Sequence, residues 1–103
     1  MGYYEYQGNW YKHDSIVNIM IAHGEKHNLS DFLAESYNFR AMAKSYQGLN
    51  SEAIYWFKKT LNINQTQNEP IPISNSLENI AQVFGDMGMY DSALTYQQKS
   101  LRI

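Results

Sequence analysis

The sequence repeats itself at a fixed interval, and a repeat of this size restricts the chain to a stacked architecture. A short unit cannot bury its own apolar flank, so copies must lean on one another. Displacing the sequence by 40 superposes Ser36 on Ser76, Ala41 on Ala81, Gly48 on Gly88 and Ala53 on Ala93. It also brings Lys59 onto Lys99, Leu61 onto Leu101 and Ile63 onto Ile103, with Ile54 on Leu94 and Thr60 on Ser100. A further step toward the N-terminus places Tyr6, Gln7 and Gly8 on Tyr46, Gln47 and Gly48. Small residues fall on small ones and aliphatics on aliphatics over the whole span.

Each unit reads as two helices around a glycine. Leu77, Ile80, Ala81 and Phe84 recur at i, i+3, i+4 and i+7, the spacing of one helix face. Asn75 is a candidate cap for that helix, with Glu78 completing a capping box. Gly88 supplies the left-handed residue that a tight helix exit requires. A second helix follows, carrying Ala93, Leu94 and Leu101. The preceding unit copies this plan, with helices predicted over about 31–47 and 51–63. Ala53, Ile54, Phe57 and Leu61 form the stripe of its second helix. Alanines at 41, 53, 81 and 93 let paired helices approach closely.

The first unit is partial. Its second helix is predicted from about Trp10 to Lys26, after a corner at Gly8. A two-residue slip, from an insertion near His13 and Asp14, would put Ser15, Ile16, Ile19 and Ala22 in the places of Ala53, Ile54, Phe57 and Thr60. Residues 64–73 are polar with two prolines and read as a linker. The expected organisation is therefore a single domain over 1–103. It comprises a partial repeat (1–27), a second repeat (31–63), the linker and a truncated third repeat (74–103).

Composition narrows the function. A net charge of −2 argues against an electrostatic footprint for nucleic acid and against a polybasic membrane patch. Without cysteine there are no disulfides or thiolate ligands. The N-terminus lacks the basic and apolar regions of a signal peptide, and no apolar run approaches a bilayer span. A cytoplasmic location is the expectation.

Catalytic chemistry finds little support. His23 and His27 stand at i, i+4, a spacing that suits a metal ion, with Asp31 as a third candidate ligand. Against this, histidines at a helix end also favour its dipole, so metal binding is a remote alternative. Asp86 and Asp91 flank a turn and read as solvated. No phosphate-cradling loop or nucleophile elbow occurs. The chain is expected to be non-enzymatic and to need no cofactor.

The glycine-centred helix pair, with Ala41, Gly48, Ala53, Phe57 and Leu61 in one unit, resembles the tetratricopeptide repeat. Leu77, Ala81, Gly88, Tyr90, Ala93 and Leu101 carry the likeness in the next, and the stretch GMYDSALTYQQKSLRI over 88–103 carries it most fully. The spacing exceeds the family's usual period of about 34 residues. In this it is similar to the long-repeat variety found in bacterial signalling proteins and cargo adaptors. Arg40 and Lys44 depart from the pattern, standing where the family has a leucine and an aromatic. Their stems are expected to snorkel outward.

The resemblance implies an all-α fold of tandem helix-turn-helix repeats in a right-handed superhelix. Its concave groove would be lined by the first helix of each unit. Carried onto this sequence, the groove residues are Glu35, Asn38, Phe39, Met42, Ser45 and Tyr46, then Asn75, Glu78, Asn79, Gln82 and Asp86. No lysine or arginine set for clamping a carboxylate is among them. The implied function is binding a neutral or basic peptide or helix of a protein partner, with Phe39, Met42 and Tyr46 as anchors. The alternative is a regulatory repeat region that packs on a neighbouring domain of a larger signalling protein. Beginning within one repeat and ending within another, the chain is also expected to be part of a longer array or to self-associate through an open repeat end.

Overall fold

A computed structural model describes the backbone of residues 2–102 and the side chains of 12–102. The chain runs through α1 (Gly2–His27), α2 (Ser30–Tyr46), α3 (Asn50–Gln67), α4 (Pro70–Asp86) and α5 (Tyr90–Leu101), with no strand among the described residues. Each helix packs against the next in sequence. The radius of gyration is 14.3 Å, against roughly 13 Å for a globular chain of this length. That excess fits a solenoid, which stacks its elements in a row. No helix among the described residues is long and apolar enough to cross a membrane.

The turns set the rhythm. Asn28, Gly48, Asn68 and Gly88 fall at successive half-periods of the repeat and adopt φ of 56°, 79°, 58° and 78°. At each, the next amide reaches back to close the spent helix. Leu29 N–H donates to the Gly24 carbonyl at 2.9 Å, and Leu49 to Lys44 at 2.9 Å. Glu69 donates to Asn64 at 3.4 Å, and Met89 to Phe84 at 2.9 Å. These are Schellman closures, which satisfy carbonyls that a helix end leaves orphaned. The carbonyls of the same four residues then accept the first bond of the following helix, from Leu33, Ala53, Ile73 and Ala93. One residue thus ends each helix and starts the next, which keeps every connection short.

This economy overturns several expectations. Residues 64–73 are not a linker: α3 continues to Gln67 and α4 starts at Pro70, leaving Asn68 and Glu69 between them. Pro70 and Pro72 sit in the first turn of α4, where their missing N–H groups have no helical partner to lose. Asn75 therefore lies within α4 and caps nothing; Glu69 occupies the cap position without a side-chain bond. No corner forms at Gly8, because α1 runs unbroken from Gly2 to His27. A glycine inside a helix costs about 1 kcal/mol relative to alanine. Breaking the helix there would forfeit several backbone bonds, so continuing is the smaller loss.

The slip in α1 also fails. Ile16 and Ile19 are exposed, while Val17 and Gly24 are buried. Val17 stands one full period before Phe57, and Gly24 one before Asn64, so α1 keeps the plain register of its successors. A Cβ on Gly24 would lie 2.9 Å from Leu33 Cγ and Cδ2; glycine permits the close α1–α2 crossing.

The core gathers Ala41 from α2, Ala53, Ile54 and Phe57 from α3, and Ile80 and Val83 from α4. Met42, Trp56, Leu61, Phe84 and Tyr96 pack against it. The stripes expected on α3 and α4 are therefore the buried ones. Arg40 and Lys44, expected to snorkel, are held instead. The Arg40 guanidinium lies 5.1 Å over the Trp56 ring and donates to Asn18 Oδ1. Lys44 pairs with Glu52 at 3.5 Å.

Candidate functional site

The first helices of the two complete hairpins, α2 and α4, stand on one side of α3 and leave a cleft between them. Its main chamber holds about 430 Å³, walled by Glu35, Asn38 and Met42 of α2 and by Asn75, Glu78 and Asn79 of α4. Its floor comes from α3, through Thr60 and Asn64. A smaller chamber of about 110 Å³ continues the cleft toward the C-terminal ends of both helices. There Met42, Ser45 and Tyr46 face Asn79, Gln82 and Val83, with Phe57 beneath. Met42 and Asn79 belong to both chambers.

Helical spacing explains the alignment. Residues 35, 38, 42 and 45 recur at three and four, as do 75, 79 and 82, so each set lies along one face. The turns at Gly48 and Asn68 return the chain so that α2 and α4 present these faces together. Phe39 and Asp86 line neither chamber. Phe39 is 39% exposed on α2, and Asp86 is exposed at the last residue of α4.

The floor was missed by sequence reasoning. Thr60 and Asn64 continue the apolar stripe of α3 with polar side chains, which was the available signal. Both are buried, at 4% and 7% exposure. Thr60 Oγ1 shares its one proton between the Ala34 carbonyl at 3.3 Å and the Trp56 carbonyl at 3.2 Å. Asn64 Nδ2 donates to the Pro72 carbonyl at 3.3 Å and to Ser76 Oγ at 3.1 Å. The cleft floor is thus braced to both walls.

The charge of the cleft is one-sided. Glu35 and Glu78 line it, and no lysine or arginine does. The cations of α3 and α5 are held elsewhere. Lys59 Nζ lies 5.2 Å from the Tyr37 ring and 5.6 Å from those of Tyr55 and Trp56, while Lys99 lies 4.9 Å from Tyr96. Such contacts stabilise a cation without neutralising it.

The tetratricopeptide repeat family model matches residues 32–103, from the first turn of α2 through α5, and takes in every residue that lines the cleft. The chain belongs to the tetratricopeptide repeat family. No curated protein and no solved structure matches it. Tetratricopeptide repeats mediate protein–protein interaction and are non-catalytic modules. The Gly48 and Gly88 corners, and the alanines at 41, 53 and 81 in the buried crossings, are where this chain meets the repeat pattern.

The histidine pair lies at the C-terminal end of α1. His23 and His27 have ring centroids 4.6 Å apart, and His23 meets the Phe32 ring edge-on at 5.7 Å. Among the described residues no cluster of three ligand-bearing side chains forms, so Asp31 does not join them.

Proposed function

We propose that this tetratricopeptide module captures a peptide or helical segment of a protein partner in the α2–α4 cleft, and that the segment is neutral or basic. The observation that carries the reading is the unneutralised pair Glu35 and Glu78 on facing walls, within a cleft that no basic side chain lines. Field lines from two carboxylates in a concave site favour cationic or donor-rich ligands. Met42 and Tyr46 add apolar surface beside them. A groove floored by a braced helix is preformed, which reduces the ordering cost of binding. The test is nuclear magnetic resonance of the labelled chain with peptides selected from a displayed random library. Shifts confined to α2 and α4, and lost in Met42→Asp, support the cleft. Shifts that spare both helices reject it.

A second reading has its own support. Ile54 is 9% exposed beneath α4, whereas its repeat equivalent on α5, Leu94, is 55% exposed, and Leu101 is 79% exposed. The flank that α3 buries under α4 therefore stands open on α5. We propose that a helix of a second copy or of a neighbouring domain covers it, the arrangement expected of a regulatory repeat region in a larger signalling protein. If copies pair, light scattering should give a multimer that Leu94→Glu with Leu101→Glu converts to monomer. A wild-type monomer at high concentration rejects pairing.

A further inference from the structure

The two chambers of the cleft differ in chemistry, and the difference specifies the partner more closely than its net charge. The charged side chains of the larger chamber, Glu35 and Glu78, only accept hydrogen bonds when ionised. They make no ion pair among the described residues. Asn64 adds a third acceptor. The residue is 7% exposed, and its Nδ2 is spent on the Pro72 carbonyl and Ser76 Oγ, which leaves the amide oxygen as the atom it can offer a ligand. Two carboxylates and an amide oxygen around a chamber that no cation lines match a charged multi-donor head group. Lysine ammonium and arginine guanidinium supply three and five donors, and neither accepts.

The smaller chamber is different. It holds no charged side chain, and Met42, Phe57 and Val83 give it an apolar interior. Along α2 the larger chamber centres near Asn38 and the smaller near Ser45, a separation of roughly 10 Å at the rise of an α-helix. An extended or polyproline chain covers that distance in about three residues.

We propose that the partner segment places a lysine or arginine side chain between Glu35 and Glu78, its head group on Asn64 Oδ1. A large aliphatic side chain three positions away fills the chamber beside Met42 and Phe57. This assignment rests on the cleft reading above and adds the identity and spacing of its two anchors. The basic anchor gives selectivity, since an acidic or apolar side chain there would leave the carboxylates and the amide oxygen unpaired.

The experiment is selection of a random dodecapeptide library on the immobilised full chain, with the selected peptides measured by fluorescence anisotropy. Enriched sequences should carry lysine or arginine with a large aliphatic residue three positions away. The Glu35→Gln, Glu78→Gln double variant should weaken such a peptide by about tenfold or more, the expected effect of losing charged hydrogen-bond partners. Both glutamates are exposed, so this variant should melt as the wild type does. Binding should also fall steeply as salt rises from about 50 to about 300 mM. Enriched peptides without a basic residue that still fail to bind Met42→Asp would overturn the basic anchor and leave the cleft standing. Peptides that bind Met42→Asp unchanged, or no enrichment at all, would overturn both.

Discussion

The Thr60 hydroxyl donates to the Ala34 carbonyl at 3.3 Å, and one repeat later the Ser100 hydroxyl donates to the Ser74 carbonyl at the same 3.3 Å. Each bond ties the second helix of a hairpin to the start of its first, across the same sequence separation. The two hairpins therefore share a hydrogen-bonded joint as well as an apolar pattern. In α1 the equivalent position is Met20, which has no hydroxyl to give. The joint is thus a property of the α2–α3 and α4–α5 pairs.

Removing the joint should weaken each hairpin by a similar amount. Thr60→Val keeps the shape and deletes the buried hydroxyl. The expected loss is about 1 kcal/mol, because the Ala34 carbonyl keeps its helical partner while the cross-helix bond goes. Ser100→Ala should cost about the same. The sites share no partner, so the double variant should lose the sum within roughly 0.5 kcal/mol. Urea unfolding measures all three, and a Thr60→Val chain as stable as wild type would show that the joint contributes nothing.

The turns make a prediction that isolates backbone conformation from packing. A Cβ on Gly88 would meet nothing within 4 Å, yet the residue sits at φ +78°. Gly88→Ala should therefore destabilise by about 1 kcal/mol, through left-handed strain alone. Gly88→Asn should lose less, since Asn68 already adopts φ 58° at the corresponding place in another turn and asparagine tolerates that region. Unfolding midpoints ordered glycine, then asparagine, then alanine are the expected result.

The helix pairs, the Gly48 and Gly88 corners and the α3 and α4 stripes were legible in the sequence because period and residue type agreed there. The break between 27 and 31 was legible as well, but the left-handed corners at Asn28 and Asn68 were not, although they fall midway between glycines on the same count. Asparagine enters the left-handed region without announcing it as glycine does. The prolines of 64–73 misled for a related reason: Pro70 and Pro72 break a helix interior but suit a first turn. In the cleft, Glu35, Asn38, Met42, Asn75 and Asn79 were pointed to by the resemblance to the repeat family, which implies a groove along each first helix, and all five line a chamber. Thr60 and Asn64 were not, because a polar residue on the α3 stripe reads equally as a buried brace or as a chamber floor, and here both are brace and floor at once.

Arg40 occupies the position that Ile80 fills in the next hairpin, and the two solve the same packing problem differently. Ile80 is fully buried. Arg40 lays its guanidinium on Trp56 and bonds Asn18. Arg40→Ala should cost about 1–2 kcal/mol, from the lost stacking and the stem's packing. Lys44→Gln should cost under about 1 kcal/mol, since its partner Glu52 is 56% exposed and water screens the pair. In a Trp10→Phe background, fluorescence reports Trp56 alone. Its emission should shift in Arg40→Ala and stay put in Lys44→Gln. A shift of equal size in both would reject the stacking assignment.

Gly24 sets two effects against each other. Alanine has the better helix propensity by about 1 kcal/mol, which would favour Gly24→Ala in α1. The new methyl, however, would lie 2.9 Å from Leu33 Cγ and Cδ2, too close to remain. Cγ is not the free end of the side chain, so Leu33 must change rotamer or α1 must move off α2. Overpacking of this kind costs about 1–3 kcal/mol, more than propensity returns. Gly24→Ala should therefore lower the melting temperature, and Leu33→Ala should lower it too. Together they should recover, because the second substitution removes the atoms that the first collides with. A positive coupling between the two in a double-mutant cycle is the expected signature. Additive losses would mean that the α1–α2 crossing does not depend on the missing side chain at Gly24.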